Sequence, residues 1–272
     1  PARVGFEGVG VVDAVGPGLL GRFLKGKRVA VLNQLGGNWA EQVVIPAKRA
    51  VPVSSRLPDE QVASFFVNPA TVLAMVRHVL AVPPGGWLVQ SAANSVLGRM
   101  IIRLGRHDGF KTINLVRRPE LIDELRKLGA DAVLCTQDGP IEEQVRAVTG
   151  GDGALFGLDA VGGEIGTGVF NSLGTGGRML LYGTLSGEPL RIDPRRMISG
   201  RRVVEGFYLG HWAQDRGILK MLKLFRQIAR LIDQGVLTTP KGARFPLVQV
   251  ADAVRQAEVI GRGGKVILTM SP

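Results

Sequence analysis

Residues 87–98, Trp-Leu-Val-Gln-Ser-Ala-Ala-Asn-Ser-Val-Leu-Gly, constrain the fold more than any other stretch of the chain. The apolar opening reads as a buried strand, Ser91, Ala92 and Ala93 as a tight loop, and Ser95-Val96-Leu97 as the start of a helix. A helix that begins directly after a buried strand offers free backbone N–H groups, backed by the positive end of its dipole, to an anion such as a pyrophosphate. Small side chains let a phosphate approach the backbone, and Gly98 lets the helix lie close to the strand. Alanine and serine stand where two of three fingerprint glycines are expected, so the segment takes its weight from residues 96–118.

Val96, Leu97, Met100, Ile101 and Leu104 share one helical face, and residues 112–116 then read as a second strand, which completes a βαβ unit. Arg117 and Arg118 come directly after it. At this position dinucleotide-binding folds place an acidic residue for a ribose 2′-hydroxyl or an arginine for a 2′-phosphate. The arginine pair therefore predicts NADPH rather than NADH as the cofactor.

The alternation continues down the chain. Residues 121–128 and 141–148 read as helices, 132–135 and 154–159 as strands, then 165–173 as a helix and 179–182 as a strand. This order specifies an α/β fold, a doubly wound parallel sheet of Rossmann type. Residues 1–67 are instead rich in valine, glycine and proline, and the runs 9–12, 28–32 and 42–45 read as strands of a β-rich domain. Near the other end, Ile218, Met221, Leu222, Phe225, Ile228 and Ile232 form one face of a long helix, and residues 265–268 form a last strand. The expected organisation is a partial, N-terminally truncated β-rich domain over 1–67, a Rossmann domain over 68–208, and a return to the first domain over 209–272.

Composition narrows the function classes. With 272 residues, 45% hydrophobic and 21% charged, the chain has the makings of a substantial core, and no apolar run approaches the ~18 residues that would span a bilayer. The single cysteine, Cys135, rules out an internal disulfide and a multi-cysteine zinc site, and it reads as a buried, inert thiol. His78, His107 and His211 lack metal-ligand spacing and read as packed or surface histidines. The net charge of +11 is spread along the chain, and its densest group (Arg191, Arg195, Arg196, Arg201 and Arg202) has no interleaved aromatics to stack bases. Nucleic acid and membrane are accordingly not expected partners. The glycine pairs at 8 and 10 and at 162–163, and the run 174–177, read as structural.

These residues together resemble the zinc-independent medium-chain dehydrogenase/reductase superfamily, specifically its 2-enoyl thioester reductases of the mitochondrial type, with quinone reductases as relatives. The resemblance runs essentially end to end. Its markers are residues 5–10 (Gly-Phe-Glu-Gly-Val-Gly), 37–41, 67–71, Ala93-Asn94-Ser95 with Gly98, 128–131, Tyr182-Gly183, and 206–209 with Trp212. The resemblance implies that the β-rich domain is GroES-like. Zinc enzymes of the superfamily carry a histidine immediately before the glutamate of the first motif. Phe6 stands there and cannot ligate zinc, so no metal is expected.

By the same resemblance, Asn68 and Thr71 lie near the nicotinamide, Asn94, Ser95, Val96 and Leu97 hold the pyrophosphate, and Arg117 with Arg118 meets the 2′-phosphate. Tyr182, Gly183, Thr184, Leu185, Phe207, Tyr208, Leu209 and Lys265 complete the cofactor contacts. The implied reaction is NADPH-dependent reduction of the C=C bond of a 2-enoyl thioester, on CoA or a carrier protein. The family's catalytic tyrosine precedes the first motif and so lies upstream of Pro1. Tyr182 and Tyr208, the two tyrosines present, match cofactor motifs instead, and the expectation is cofactor binding with weakened turnover. The alternatives are an NADPH quinone or enone reductase and an NADPH-binding protein without turnover. A small-molecule substrate, a possible homodimer and a cytoplasmic location are expected, with a mitochondrial location as the alternative.

Overall fold

The computed structural model describes residues 3–33, 36–214, 216–259, 261 and 263–270; Pro1, where the expected first domain begins, lies outside them. In chain order the strands are β1 (Glu7–Val11), β2 (Arg28–Leu32), β3 (Ala50–Pro52), β4 (Trp87–Gln90), β5 (Lys111–Val116), β6 (Ala132–Cys135), β7 (Ala154–Asp159), β8 (Leu173–Leu181), β9 (Val203–Gly206), β10 (Lys241–Pro246) and β11 (Lys265–Thr269). The chain divides into two compact units, one of residues 1–70 with 222–272 and the other of residues 71–221.

The second unit is built on a six-stranded sheet of order β6-β5-β4-β7-β8-β9, every pair parallel. Helix Val96–Asp108 joins β4 to β5, Ile122–Leu128 joins β5 to β6, Ile141–Val148 joins β6 to β7 and Gly163–Asn171 joins β7 to β8. The central strands read as near-continuous apolar runs because both faces are covered: Leu88, Val89, Ile113, Leu158 and Leu180 are fully buried. One cluster packs Val89, Ile113, Val145, Val169, Phe170 and Met179 together, and another packs Ala93, Ile102, Leu125 and Val133. Helix Val96–Asp108 ends on Gly109 in the left-handed conformation (φ 82°), where a side chain would be strained. The chain runs outward from β4 through β5 to β6, then returns to lay β7 on the other side of β4. That reversal leaves a crevice at the C-terminal ends of β4 and β7, the place where open α/β sheets bind ligands.

The first unit holds a three-stranded antiparallel sheet, β1-β2-β3, and a two-stranded parallel sheet of β10 and β11. Leu24, Val29 and Val31 form the buried cluster beside β2. Phe65 and Phe66 pack edge to face at 5.2 Å, and Phe225 meets Phe66 in the same way at 5.2 Å.

Two expectations change on contact with the structure, and one segment that patterning left unassigned gains a structure. Residues 42–45 form no strand; Val44 is fully exposed, and Ile45 packs as a single side chain against the Leu24, Val29 and Val31 cluster rather than as part of a ladder. The glycine run 174–177 is not a turn between elements but lies inside β8, where the pairing with β7 shifts register between Ala154 and Phe156 and Gly176 takes φ 77°. The segment 67–79 is helical throughout, passing from Val67–Leu73 into a π-helical turn, Ala74–Val79.

Candidate functional site

At the end of β4 the backbone must turn sharply into the helix, and Ala92 does so with φ 48°, a left-handed conformation costly for a residue with a Cβ. Ser95 is the N-cap, its Oγ accepting the Gly98 N–H at 3.0 Å. The Ser95 carbonyl takes the Arg99 N–H at 2.9 Å. As in the first turn of any helix, the amides of Val96 and Leu97 then have no intrahelical acceptor. A Cβ on Gly98 would stand 2.5 Å from the Ala93 carbonyl oxygen, so only glycine lets the loop fold back over the helix start. This geometry fits a pyrophosphate.

The floor of the loop is a buried polar network. Gln90 donates to the Gly98 carbonyl at 3.0 Å and to Asn114 Oδ1 at 2.6 Å, and Asn114 donates in turn to Thr112 Oγ1 and the Ala132 carbonyl at 2.9 Å each. Beside it the Asp159 carboxylate, fully buried at the end of β7, accepts the Ser91 hydroxyl at 2.5 Å and the amides of Val161 and Gly162 at 3.1 and 2.8 Å. Ser91 Oγ also accepts the Ala160 N–H at 3.0 Å. The ends of β4 and β7 are thus tied by one carboxylate. Sequence patterning gives Asp159 no role beyond its strand and makes Gly162-Gly163 an ordinary turn. The signal available was an acidic residue closing an apolar strand immediately before small residues.

Most of the expected cofactor residues come together along this edge. Ser95, Val96 and Leu97 form the helix start, while Asn94 is held from the side by Arg99, whose Nη2 donates to Asn94 Oδ1 at 2.5 Å and pairs with Glu124 at 2.6 Å. Arg117 and Arg118 come after β5, both exposed, and no side-chain partner is found for either guanidinium among the described residues. Tyr182 and Leu185 are drawn to the end of β7 by their amides, which donate to the carbonyls of Asp159 and Ala160 at 2.9 and 3.0 Å, with Gly183 and Thr184 between them. The Phe207 amide donates to the Leu181 carbonyl at 2.7 Å, setting Phe207, Tyr208 and Leu209 at the end of β9. Thr71 is buried in the second unit and takes no part in these hydrogen bonds.

Asn68 and Lys265 belong to the first unit. Lys265 Nζ lies 3.2 Å from Glu7 Oε2, and Glu7 Oε1 accepts the amides of Phe66 and Val67 at 2.8 Å each. Glu7 is therefore occupied as a carboxylate cap at the start of helix Val67–Leu73. Trp39 lies over Gly5, where a Cβ would meet its Cδ1, so its role there is packing. Among the described residues no group of three or more His, Cys, Asp or Glu side chains is placed to hold a metal, and no helix is long and apolar enough to cross a membrane.

The comparisons with known proteins bear on this edge directly. The family model for zinc-binding dehydrogenases matches residues 96–225. The mitochondrial enoyl-[acyl-carrier-protein] reductase of Rattus norvegicus is 31% identical over 274 residues, covering 99% of this chain and 73% of that protein. The chain belongs to the enoyl reductase-like branch of the medium-chain dehydrogenase/reductase superfamily. Among solved members of the superfamily, a Bacillus thuringiensis protein assigned as an NADPH:quinone reductase superposes with a TM-score of 0.91 at 30% identity, covering 98% of this chain and 80% of that one. A mycobacterial member solved with NADPH superposes with a TM-score of 0.85 at 25% identity, covering 97% and 81%.

Proposed function

We propose that the chain is an NADPH-dependent, zinc-independent reductase of the C=C bond in 2-enoyl thioesters. The observation that carries this reading is the capped, glycine-tightened anion loop at the β4/β7 reversal, with two exposed arginines at the end of the neighbouring strand that have no side-chain partner among the described residues. The names of the relatives, an enoyl reductase and an NADPH:quinone reductase, support it. The Val96 and Leu97 amides and the helix dipole would take the pyrophosphate. Arg117 and Arg118 would take the 2′-phosphate, and residues 182–185 and 207–209 would line the rest of the cofactor. Asn68, Thr71 and Lys265 are proposed as further contacts, with Lys265 shared with Glu7. When bound, NADPH supplies a hydride to the β-carbon, and a proton then goes to the α-carbon. The protein's task is to hold the acceptor in line and to place hydrogen-bond donors where negative charge develops on the carbonyl oxygen.

Replacing both Arg117 and Arg118 by alanine is expected to weaken NADPH binding by roughly 10- to 150-fold, as loss of hydrogen bonds to a charged group implies. NADH binding should hardly change. Equal losses for the two cofactors would overturn the assignment of the arginines. Consumption of NADPH with crotonyl-CoA, compared with a small quinone, tests the substrate. Preference for the quinone would establish the second reading, which the Bacillus thuringiensis similarity favours. Tight NADPH binding with neither acceptor reduced would establish a binding protein. A homodimer is proposed on the resemblance alone, and sedimentation analysis measures it.

A further inference from the structure

Helix Val96–Asp108 opens against the usual electrostatic preference. Acidic side chains favour a helix N-terminus and cations its C-terminus, yet the first turn here holds no acid, and Arg99 stands four residues after the Ser95 cap. In a helix the Cα–Cβ bonds lean toward the N-terminus, so a long side chain at this position reaches back over the loop that precedes it. Arg99 does so: its Nε donates to the Asn94 carbonyl at 3.3 Å and its Nη2 to Asn94 Oδ1 at 2.5 Å. The same Nη2 lies 2.6 Å from Glu124 Oε1, in helix Ile122–Leu128. The Arg99 side chain is 17% exposed and that of Glu124 52%, so the guanidinium is the inner member of the pair.

A guanidinium can only donate, so both acceptor atoms of Asn94 are turned onto Arg99. This fixes which way round the side-chain amide stands: its oxygen lies against Arg99, and its NH2 group is the free end, with no acceptor among the described residues. The consequence is electrostatic. A loop that receives an anion must offer donors to it and keep its oxygens away, and Asn94, half-buried and two residues before Val96, could otherwise present either end. Glu124 keeps the guanidinium against the loop and offsets its charge. What Arg99 contributes is therefore orientation rather than net positive charge.

We propose that Arg99 is a positioning residue for the pyrophosphate: it turns both oxygens of Asn94 away from the anion and leaves Asn94 Nδ2 as a third donor, in addition to the amides of Val96 and Leu97. The proposal rests on the NADPH reading and deepens it, because it names a residue that acts on the cofactor only through a neighbour. Dinucleotides with and without the 2′-phosphate share the pyrophosphate. Arg99 accordingly acts on both alike, unlike Arg117 and Arg118.

The test is titration of the whole chain with NADPH and with NADH, followed by nucleotide fluorescence, with thermal melting of each variant to report folding. Asn94→Ala should weaken both cofactors by roughly 10-fold, the effect of one lost hydrogen bond to a charged group, and Arg99→Ala should weaken both equally by roughly 3- to 10-fold. Arg99→Lys, which still donates, should recover part of the loss. In the Asn94→Ala background Arg99→Ala should add nothing, whereas a general loosening of the helix would multiply the two losses. If Arg99→Ala does not fold, Asn94→Asp keeps both acceptors for Arg99 and replaces only the free NH2 by an oxygen; it should weaken both cofactors by roughly 10-fold or more. Unchanged affinity in Arg99→Ala or Asn94→Asp, a loss confined to NADPH, or independent losses in the double variant would overturn the proposal. A wild-type chain that fails to bind NADPH would instead overturn the cofactor reading and this inference with it, so the first titration tells the two failures apart.

Discussion

The three-stranded sheet of the first unit and the six-stranded sheet of the second use their apolar residues in opposite ways. In the second, valines, leucines and isoleucines of β4, β5 and β7 are buried on both faces by helices from the same unit. In the first, only Leu24, Val29 and Val31 make the cluster beside β2, while Phe6, Val11, Leu19 and Phe23 are more than half exposed, and β1 pairs with β2 alone. A cavity of about 1720 Å³, lined by Val9, Val31, Ile45 and Ile267 among others, opens beside these strands within the first unit. Burial on both faces fixes each residue against many neighbours, whereas a half-covered sheet can collapse around a deletion.

The same substitution should therefore cost different amounts in β7 and in the helix Leu19–Leu24 that packs beside β2. Leu158→Ala, in fully buried β7, is expected to destabilise the second unit by about 4–5 kcal/mol, and Leu24→Ala to destabilise the first by about 2–3 kcal/mol, within the range for core leucines. Denaturant unfolding followed by a probe in each unit measures both. Equal losses would break the contrast, because they would mean that the small cluster is as unyielding as the large one.

Asp159 sharpens it at a polar position. Asp159→Asn keeps the shape but turns one acceptor oxygen into a donor facing Ser91 or the Val161 and Gly162 amides. We expect a loss of about 1–3 kcal/mol in the second unit, with NADPH affinity falling in step because the loop after β4 is tied to β7 through this carboxylate. A full-strength fold with weakened cofactor binding would mean that Asp159 acts on the loop alone. Unchanged values of both would remove it from the site.

How much of this was legible in sequence obeys the same division. The strands and helices of residues 87–171 declare themselves because periodicity and burial agree there. β6, β7 and helix Ile141–Val148 fall on the residues the pattern marks. In the first unit, residues 42–45 have strand composition but no partner strand, and composition cannot supply one. β9 is four residues at the sheet edge, mostly exposed, and its two apolar residues, Val203 and Val204, are too short a run to mark a strand by pattern. At the site, Ser95 and the loop were readable as local chemistry. The Ser91–Asp159 link, the Arg99 clamp on Asn94 and the Glu7–Lys265 pair are not, since each joins residues brought close only by the fold.

A smaller effect tests whether the loop depends on its cap. Ser95→Ala removes the acceptor for the Gly98 N–H and should cost about 1 kcal/mol of stability in the second unit, the usual value for an N-cap. Ser95→Gly should cost only a few tenths. If the two variants are equal, the Oγ contributes nothing beyond its backbone conformation.

The smallest expected effect lies at the other end of the same helix. Asp108 receives Nε and Nη2 of Arg77 at 2.7 Å each and lies 2.7 Å from His107 Nδ1. Partial burial opposes its ionisation, but the hydrogen bonds and charges of Arg77 and His107 outweigh it and hold the carboxyl below the ordinary 3.8. A carboxyl depressed in the folded state adds stability that is complete above its unfolded value and lost as pH falls through the folded one. The contribution should thus be flat from pH 7 down to about 5, decline below 3.8, and vanish at more acidic pH. Asp108→Asn should flatten that segment of the stability–pH curve for the second unit while leaving the first unit's acid limb in place, because Arg77 and His107 both belong to the second. Since the pair is only half buried, solvent screens it and the difference should shrink further in high salt. A steep acid loss that persists in Asp108→Asn would assign the acid sensitivity to a different group.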